Sequence, residues 1–338
     1  MKKILVVNIN WLGDSLFSTP AIRALKETIP KAQITCMTVP RCYEILQDNP
    51  HIDQLIVYDE RGKHKSLLAK FGLIKQLRLD KFDEVYIFHR SFTRALIAYF
   101  AGIPVRVGYN TKGRGFLLTR ALPFSGNALH RVEHFLNIVR AQGYDTADKD
   151  YEFFIPENAK DSVEGLLKKA GITNNDLIVV LNPGGNWPPK RWGKEKFAKL
   201  GDELVRRFKA RIIISGAPKD LGLGAEIANL MEEKSLNLAG RTNLKQLAAL
   251  MQQADYVISA DSGPMHIALA VKRPKVIALF GPTSSKITGP YGAGNFAVIK
   301  KDVGCKVPCY KFDCRDYKCM GAISASDILE IVENDRKK

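Results

Sequence analysis

Three stretches carry residues whose types and spacing suit chemistry on an anion or a hydroxyl group. In Asp261-Ser262-Gly263-Pro264-Met265-His266-Ile267-Ala268, turn and cap residues follow the apolar run Tyr256 to Ser259 and lead into a helix pattern in which Pro264 suits the first position. Backbone amides at such a helix start, carrying roughly half a positive charge from the helix dipole, form an anion site. Ser262, Gly263 and His266 are candidate donors there; the other reading of His266 is a satisfied core histidine. A carboxylate beside a phosphate would repel it, so Asp261 reads as holding the turn by accepting backbone amides, or as binding sugar hydroxyls. In Asn182-Pro183-Gly184-Gly185-Asn186-Trp187-Pro188-Pro189-Lys190, Gly184 and Gly185 let amides approach a phosphate, Asn186 shares the loop, and Lys190 supplies a point charge. A charge-assisted hydrogen bond of that kind contributes about 1.5–3 kcal/mol. Asp14 follows Trp11-Leu12-Gly13 at the end of the first predicted strand, where α/β enzymes place reactive groups; its other reading is a helix cap.

The elements that must position these residues alternate. Buried-type strands are predicted at 3–7, 34–38, 54–58, 84–88 and 105–109, with helices at 15–27, 41–47, 66–77, 93–101 and 131–142, which implies a parallel sheet. Residues 110–129, rich in glycine and basic side chains, read as a long loop. A second pattern has strands at 177–181, 211–215, 256–259 and 275–280 and a last helix at 326–333. The strand at 275–280 also ends in a glycine turn, Gly281-Pro282-Thr283, so two neighbouring strands deliver such turns to one sheet edge. A composition change near 157–160 predicts domains of 1–158 and 159–323, with residues 324–338 free to pack back on the first.

The chain has 338 residues, enough for two ordinary domains, and its formal charge of +16 points to an anionic partner or surface. Residues 61–120 hold 13 Lys or Arg against 3 acids, and Arg61, Lys63, Arg90, Arg94, Lys112 and Arg114 are candidates to bind acidic groups or an anionic leaflet. The longest apolar run, near 95–105, is far short of the ~20 residues that span a bilayer. Asn8, Asn10 and Asp14 interrupt the start before a signal-type apolar segment forms, so a cytoplasmic protein is expected. Charge alone also fits a nucleic-acid-binding protein, but no such motif or aromatic stacking signature accompanies it. Asp148-Lys149-Asp150 lies in a polar linker, a poor place for a metal pair. Gly222-Leu223-Gly224 lacks the third glycine of a dinucleotide fingerprint.

Asp261-Ser262-Gly263-Pro264-Met265-His266-Ile267-Ala268 resembles the D-[ST]-G-x-x-H-x-A motif of glycosyltransferase family 9, the ADP-heptose:lipopolysaccharide heptosyltransferases. Asn8-Ile9-Asn10-Trp11-Leu12-Gly13-Asp14, Asn182-Pro183-Gly184-Gly185 with Lys190-Arg191-Trp192, and Phe280-Gly281-Pro282-Thr283 keep the family order over nearly the whole chain. The resemblance implies the α/β GT-B architecture, two Rossmann-like domains with parallel sheets facing a central cleft, the first taking the acceptor and the second the nucleotide sugar. It implies inverting transfer of heptose from ADP-L-glycero-D-manno-heptose to the inner core of lipopolysaccharide, with Asp14 as catalytic base and no required metal; the basic charge adds an expectation of peripheral contact with an anionic leaflet, and the oligomeric state stays open, with a monomer expected. By the same resemblance an acid after the strand at 211–215 contacts the ribose; Asp220 is nearest in register and Glu226 is the other choice. A GT-B enzyme using a UDP-sugar, as transferase or epimerase, is the alternative.

Four of the six cysteines, Cys305, Cys309, Cys314 and Cys319, are spaced C-x3-C-x4-C-x4-C, unlike the usual paired zinc pattern. Reduced thiols, redox-dependent disulfides and a structural metal all fit that spacing, the thiol states better.

Overall fold

The computed structural model describes residues 1–338 except 125, 127, 128, 310, 312 and 338. Two compact units result, Met1–Phe154 and Ile155–Lys338. The first contains strands β1 (Lys3–Val7), β2 (Gln33–Thr38), β3 (Gln54–Val57), β4 (Glu84–Ile87), β5 (Val105–Tyr109) and β6 (Arg120–Leu122). The second contains β7 (Ile178–Asn182), β8 (Arg211–Ile214), β9 (Ser235–Asn237), β10 (Tyr256–Ala260), β11 (Lys275–Phe280) and β12 (Phe296–Lys300).

Each set forms a parallel sheet, ordered β3-β2-β1-β4-β5-β6 in the first and β12-β11-β10-β7-β8-β9 in the second. Renumbered within its unit, the second order is the same as the first: both are Rossmann orders, reversing direction beside the first strand. Ligands bind at that reversal, outside the carboxyl ends of β1 and β4, and of β7 and β10. The central strands are nearly continuous apolar runs because helices cover both faces. Leu5, Val7, Val85 and Ile87 pack with Leu73, Leu77, Ala95 and Ala98 in the first unit. Leu181, Ile212, Ile214, Ile258 and Leu279 pack with Phe197, Leu200 and Leu204 in the second.

Several elements differ from the pattern. The helix predicted at 15–27 divides at Ser18 into Leu12–Phe17 and Thr19–Thr28, since Pro20 in the opening turn of the second piece has no amide to continue the ladder. Strand β6 lies inside the predicted loop 110–129, and β9 and β12 add further edge positions; β6 and β9 have three residues each, too few to show a period. Helix Glu157–Lys169 begins the second unit and packs on helix Leu244–Gln253. The last helix, Ala325–Arg336, packs on the second unit: Ile328, Leu329 and Val332 are buried in its core, and Lys275–Asp335 and Lys301–Asp327 pairs, both 2.6 Å, fix its outer side. No helix among the described residues is long and apolar enough to cross a membrane.

Candidate functional site

In the second unit the register Ile258↔Leu181 and Ser259↔Asn182 brings the ends of β7 and β10 level, so their following turns are neighbours. The Asn182 amide, fully buried, donates to Ser259 Oγ at 3.1 Å and to Ser262 Oγ at 3.5 Å. This joins the glycine loop to the Ser262 turn without spending either loop's backbone amides. Ser262 stands at the N-cap of helix Gly263–Ala270 and makes no side-chain cap bond there, leaving cap duty to a ligand or solvent.

Gly184 is demanded by close approach: a Cβ built there would lie 2.4 Å from Asp220 Oδ2. Asp220 is itself buried and accepts the Ala217 amide at 3.1 Å, so the carboxylate cannot move aside cheaply. Asp220 therefore lies against the glycine loop, whereas Glu226 sits on exposed helix surface and pairs with Lys194 at 2.7 Å. Arg191 forks the Gly185 carbonyl at 2.9 and 2.7 Å, and Lys219 donates to the Asn186 side chain. Arg191 is part of the Lys-Arg-Trp motif, but its bracing role has no signature in the sequence.

Lys190 Nζ lies 2.7 Å from Asp261 Oδ2 and 5.7 Å from the centroid of the Trp187 ring. The structure corrects the expectation that Asp261 accepts backbone amides. Its carboxylate faces side chains instead: Lys190, Thr288 Oγ1 at 3.4 Å, and His266 Nε2 at 3.9 Å. Burial pushes the Asp261 carboxyl up, but the His266 ring and the Lys190 ammonium outweigh it and hold it at about 2. At neutral pH this is a carboxylate holding a cation at the mouth of a helix N-terminus. A diphosphate arriving there offers Lys190 a more highly charged partner.

In the first unit Asp14 lies in the first turn of helix Leu12–Phe17, half-buried, rather than before the helix. The loop leading to it is held by Arg94, which donates to the Asn8 carbonyl at 2.7 Å and to Asn10 Oδ1 at 2.6 Å. Glu60 completes the group, 3.6 Å from Arg94 and 3.1 Å from the Asn10 amide. Arg41 places its guanidinium 4.3 Å from the Trp11 ring centroid.

The six basic candidates divide. Arg61, Lys63, Arg90 and Lys112 are exposed. Arg94 and Arg114 are not surface cations: they are 1% and 0% exposed. Arg114 donates to the carbonyls of Tyr109, His89 and Ser91 at 2.9, 2.6 and 3.0 Å. Two of these partners, His89 and Ser91, lie more than 20 residues away, so the burial was invisible to a reading by charge. His89 stands among them; burial first, then Arg94, Arg114, Arg90 and Lys112, push its imidazolium down to about 3. The edge is thus electropositive, with a neutral ring at its centre.

All six cysteines are free thiols, and no group of His, Cys, Asp or Glu among the described residues is arranged to hold a metal. The cysteine segment covers the Gly281-Pro282 turn: the Cys309 amide donates to the Pro282 carbonyl at 2.7 Å, and Cys319 Sγ would lie 3.0 Å from a Cβ at Gly281.

Two units, each a parallel sheet in Rossmann order flanked by helices, have the α/β fold of GT-B glycosyltransferases. The chain belongs to glycosyltransferase family 9 (heptosyltransferase), which residues 71–318 match. It is 30% identical over 301 residues to lipopolysaccharide heptosyltransferase 2 of Salmonella typhimurium, covering 85% of each chain. It is 30% identical over 340 residues to lipopolysaccharide heptosyltransferase 3 of Escherichia coli, covering 95% of this chain and 94% of that one. Among solved structures it is similar to a family 9 glycosyl transferase from Veillonella parvula, with TM-score 0.87 and 25% identity over 98% of this chain and 96% of that one. It is also similar to E. coli ADP-heptose lps heptosyltransferase II, with TM-score 0.81 and 26% identity over 99% of this chain and 98% of that one.

Proposed function

We propose that this protein transfers heptose from ADP-L-glycero-D-manno-heptose to the inner core of lipopolysaccharide, inverting the anomeric carbon. The observation that carries the donor half is Lys190 held by Asp261 at an uncapped helix start beside Gly184 and Gly185. The second unit takes the nucleotide sugar: the diphosphate displaces Asp261 from Lys190 and meets the amides that open helix Gly263–Ala270. Ser262 and His266 are added donors, Asn186 and Asp220 bound the loop, and Asp220 contacts the ribose. As the acceptor hydroxyl attacks the anomeric carbon, Asp14 takes its proton and the bond to the diphosphate breaks. The charge that develops on the leaving ADP is stabilised by Lys190 and the helix amides, a role for which no metal ion is required.

The first unit takes the acceptor, with Arg61, Lys63, Arg90 and Lys112 supplying charge for its phosphates or carboxylates and the protein working at the inner face of the cytoplasmic membrane as a monomer. Calorimetric titration with ADP-heptose, ADP and UDP-sugars, with Lys190→Ala alongside, tests the donor. Binding of ADP-heptose that Lys190→Ala weakens supports the reading; tight binding of a UDP-sugar with no response to ADP overturns it in favour of a different nucleotide sugar.

A further inference from the structure

Helix Leu67–Asp80 is apolar on two faces. Leu73 and Leu77 are buried against the sheet, whereas Leu67, Leu68, Phe71 and Leu79 are 72, 83, 62 and 70% exposed. Residues 68, 71, 75 and 79 recur at helical spacing, so Leu68, Phe71, Lys75 and Leu79 form one outward stripe. At its far end Arg78 donates to the Phe100 carbonyl at 2.6 Å, which sets the half-exposed Tyr99 and Phe100 of helix Phe92–Phe100 beside it. A run of large exposed apolar side chains along one element is not the scatter of single residues that any protein surface carries.

The charges around this stripe say what covers it. Residues 61–79 hold Arg61, Lys63, Lys65, Lys70, Lys75 and Arg78 and not one Asp or Glu. A second copy of the chain laid on the same face would bring these cations against their own equivalents, which a self-complementary interface cannot tolerate. An apolar stripe flanked by Lys and Arg matches instead a bilayer surface: the side chains enter the acyl boundary and the cations meet anionic headgroups.

We infer that the outer face of helix Leu67–Asp80, extended by Tyr99 and Phe100, docks the first unit on an anionic lipid surface with the helix in the plane of the interface. The inference deepens the membrane contact proposed above and rests on the lipid-linked acceptor for its purpose, while its geometry is independent of the sugar transferred.

The test is co-sedimentation of the full chain with vesicles of phosphatidylcholine alone and of phosphatidylcholine with phosphatidylglycerol, at low and high salt. Expected are binding to the anionic vesicles only, weakening with salt, and at least a roughly tenfold fall in partition for Leu68→Ser with Phe71→Ser. These side chains already face water, so thermal melting of that double variant should match the parent. Its turnover of a delipidated soluble acceptor should be unchanged. Failure of the parent to bind anionic vesicles, or equal binding by the double variant, overturns the proposal. So does a dimer in sedimentation velocity that the double variant dissolves. Loss of the heptosyl reading would leave the vesicle result untouched, so the two fail separately.

Discussion

Both units place a buried asparagine at the carboxyl end of their first strand, Asn8 and Asn182, and both bond it to a serine hydroxyl, Ser18 Oγ at 3.0 Å and Ser259 Oγ at 3.1 Å. From this shared frame they use their cations in opposite ways. In the first unit Arg94 and Arg114 are buried and committed chiefly to carbonyls. In the second unit Lys190 is committed to one carboxylate and is 24% exposed along its side chain. A buried guanidinium that satisfies several carbonyls is scaffold, because removing it strands all of them without hydrogen bonds. An ammonium held by a single carboxylate is exchangeable, because a diphosphate can take over its one partner's role.

The comparison can be broken or sharpened by substitution. Asp14→Asn should lower kcat by about 10²–10⁴ while leaving calorimetric ADP-heptose affinity near the parent value; near-normal turnover would remove the base assignment. Lys190→Ala should weaken donor binding by roughly 10–100-fold, the equivalent of a lost charge-assisted hydrogen bond, and, by leaving the buried Asp261 carboxylate without its cation, should destabilise the second unit but not the first. Arg94→Met and Arg114→Met should do the reverse, costing about 2–4 kcal/mol in denaturant unfolding of the first unit. An Arg114→Met protein of parental stability would show that its carbonyl bonds are not scaffold.

Gly184→Ala should destabilise by about 1–3 kcal/mol through the Asp220 carboxylate, and Asp220→Ala in the same chain should recover part of that loss in a thermal melt.

Acid should separate the units by a smaller margin. His89 and His134 are both depressed to about 3, by burial first and then by neighbouring cations. The unfolded chain therefore takes up their protons first, near pH 6.5, and the stability they contribute is full above that value and lost as pH falls toward 3. By pH 5 the loss is at most about 2 kcal/mol for each ring, less where solvent screens the ring. Asp261, held at about 2, contributes stability that is full above its ordinary carboxylate range and fades only as pH falls below about 4. Hydrogen exchange at pH 5 should show the first unit loosening while the Lys190–Asp261 region stays protected; simultaneous loosening would contradict the assignment.

Much of this molecule was readable before its structure. The nine strands with Val and Ile runs, the glycine turns after β7, β10 and β11, and the caps that open the helices all follow from local rules, as Ser66 accepting the Ala69 amide illustrates. The short edge strands β6 and β9 were not readable, because a three-residue strand has no period and exists only through its neighbour's ladder. Asp220 and Glu226 look alike in sequence, and only packing distinguishes their surroundings, one lying against Gly184 and the other on an exposed helix with Lys194.

The sequence by itself determined two α/β patterns, an anion-type turn at Asp261 to Gly263, a glycine loop ending in Lys190, and a basic first half. These depend on residue type and on neighbours within a few positions, where propensity, capping and charge act directly. Only the tertiary structure decided which cations are buried against carbonyls and which are held by a carboxylate. Arg94 meets a carbonyl 86 positions away and Lys190 a carboxylate 71 positions away. Whether a cation meets carbonyls or a carboxylate depends on which strand ends the sheet order brings level, and no local pattern encodes that.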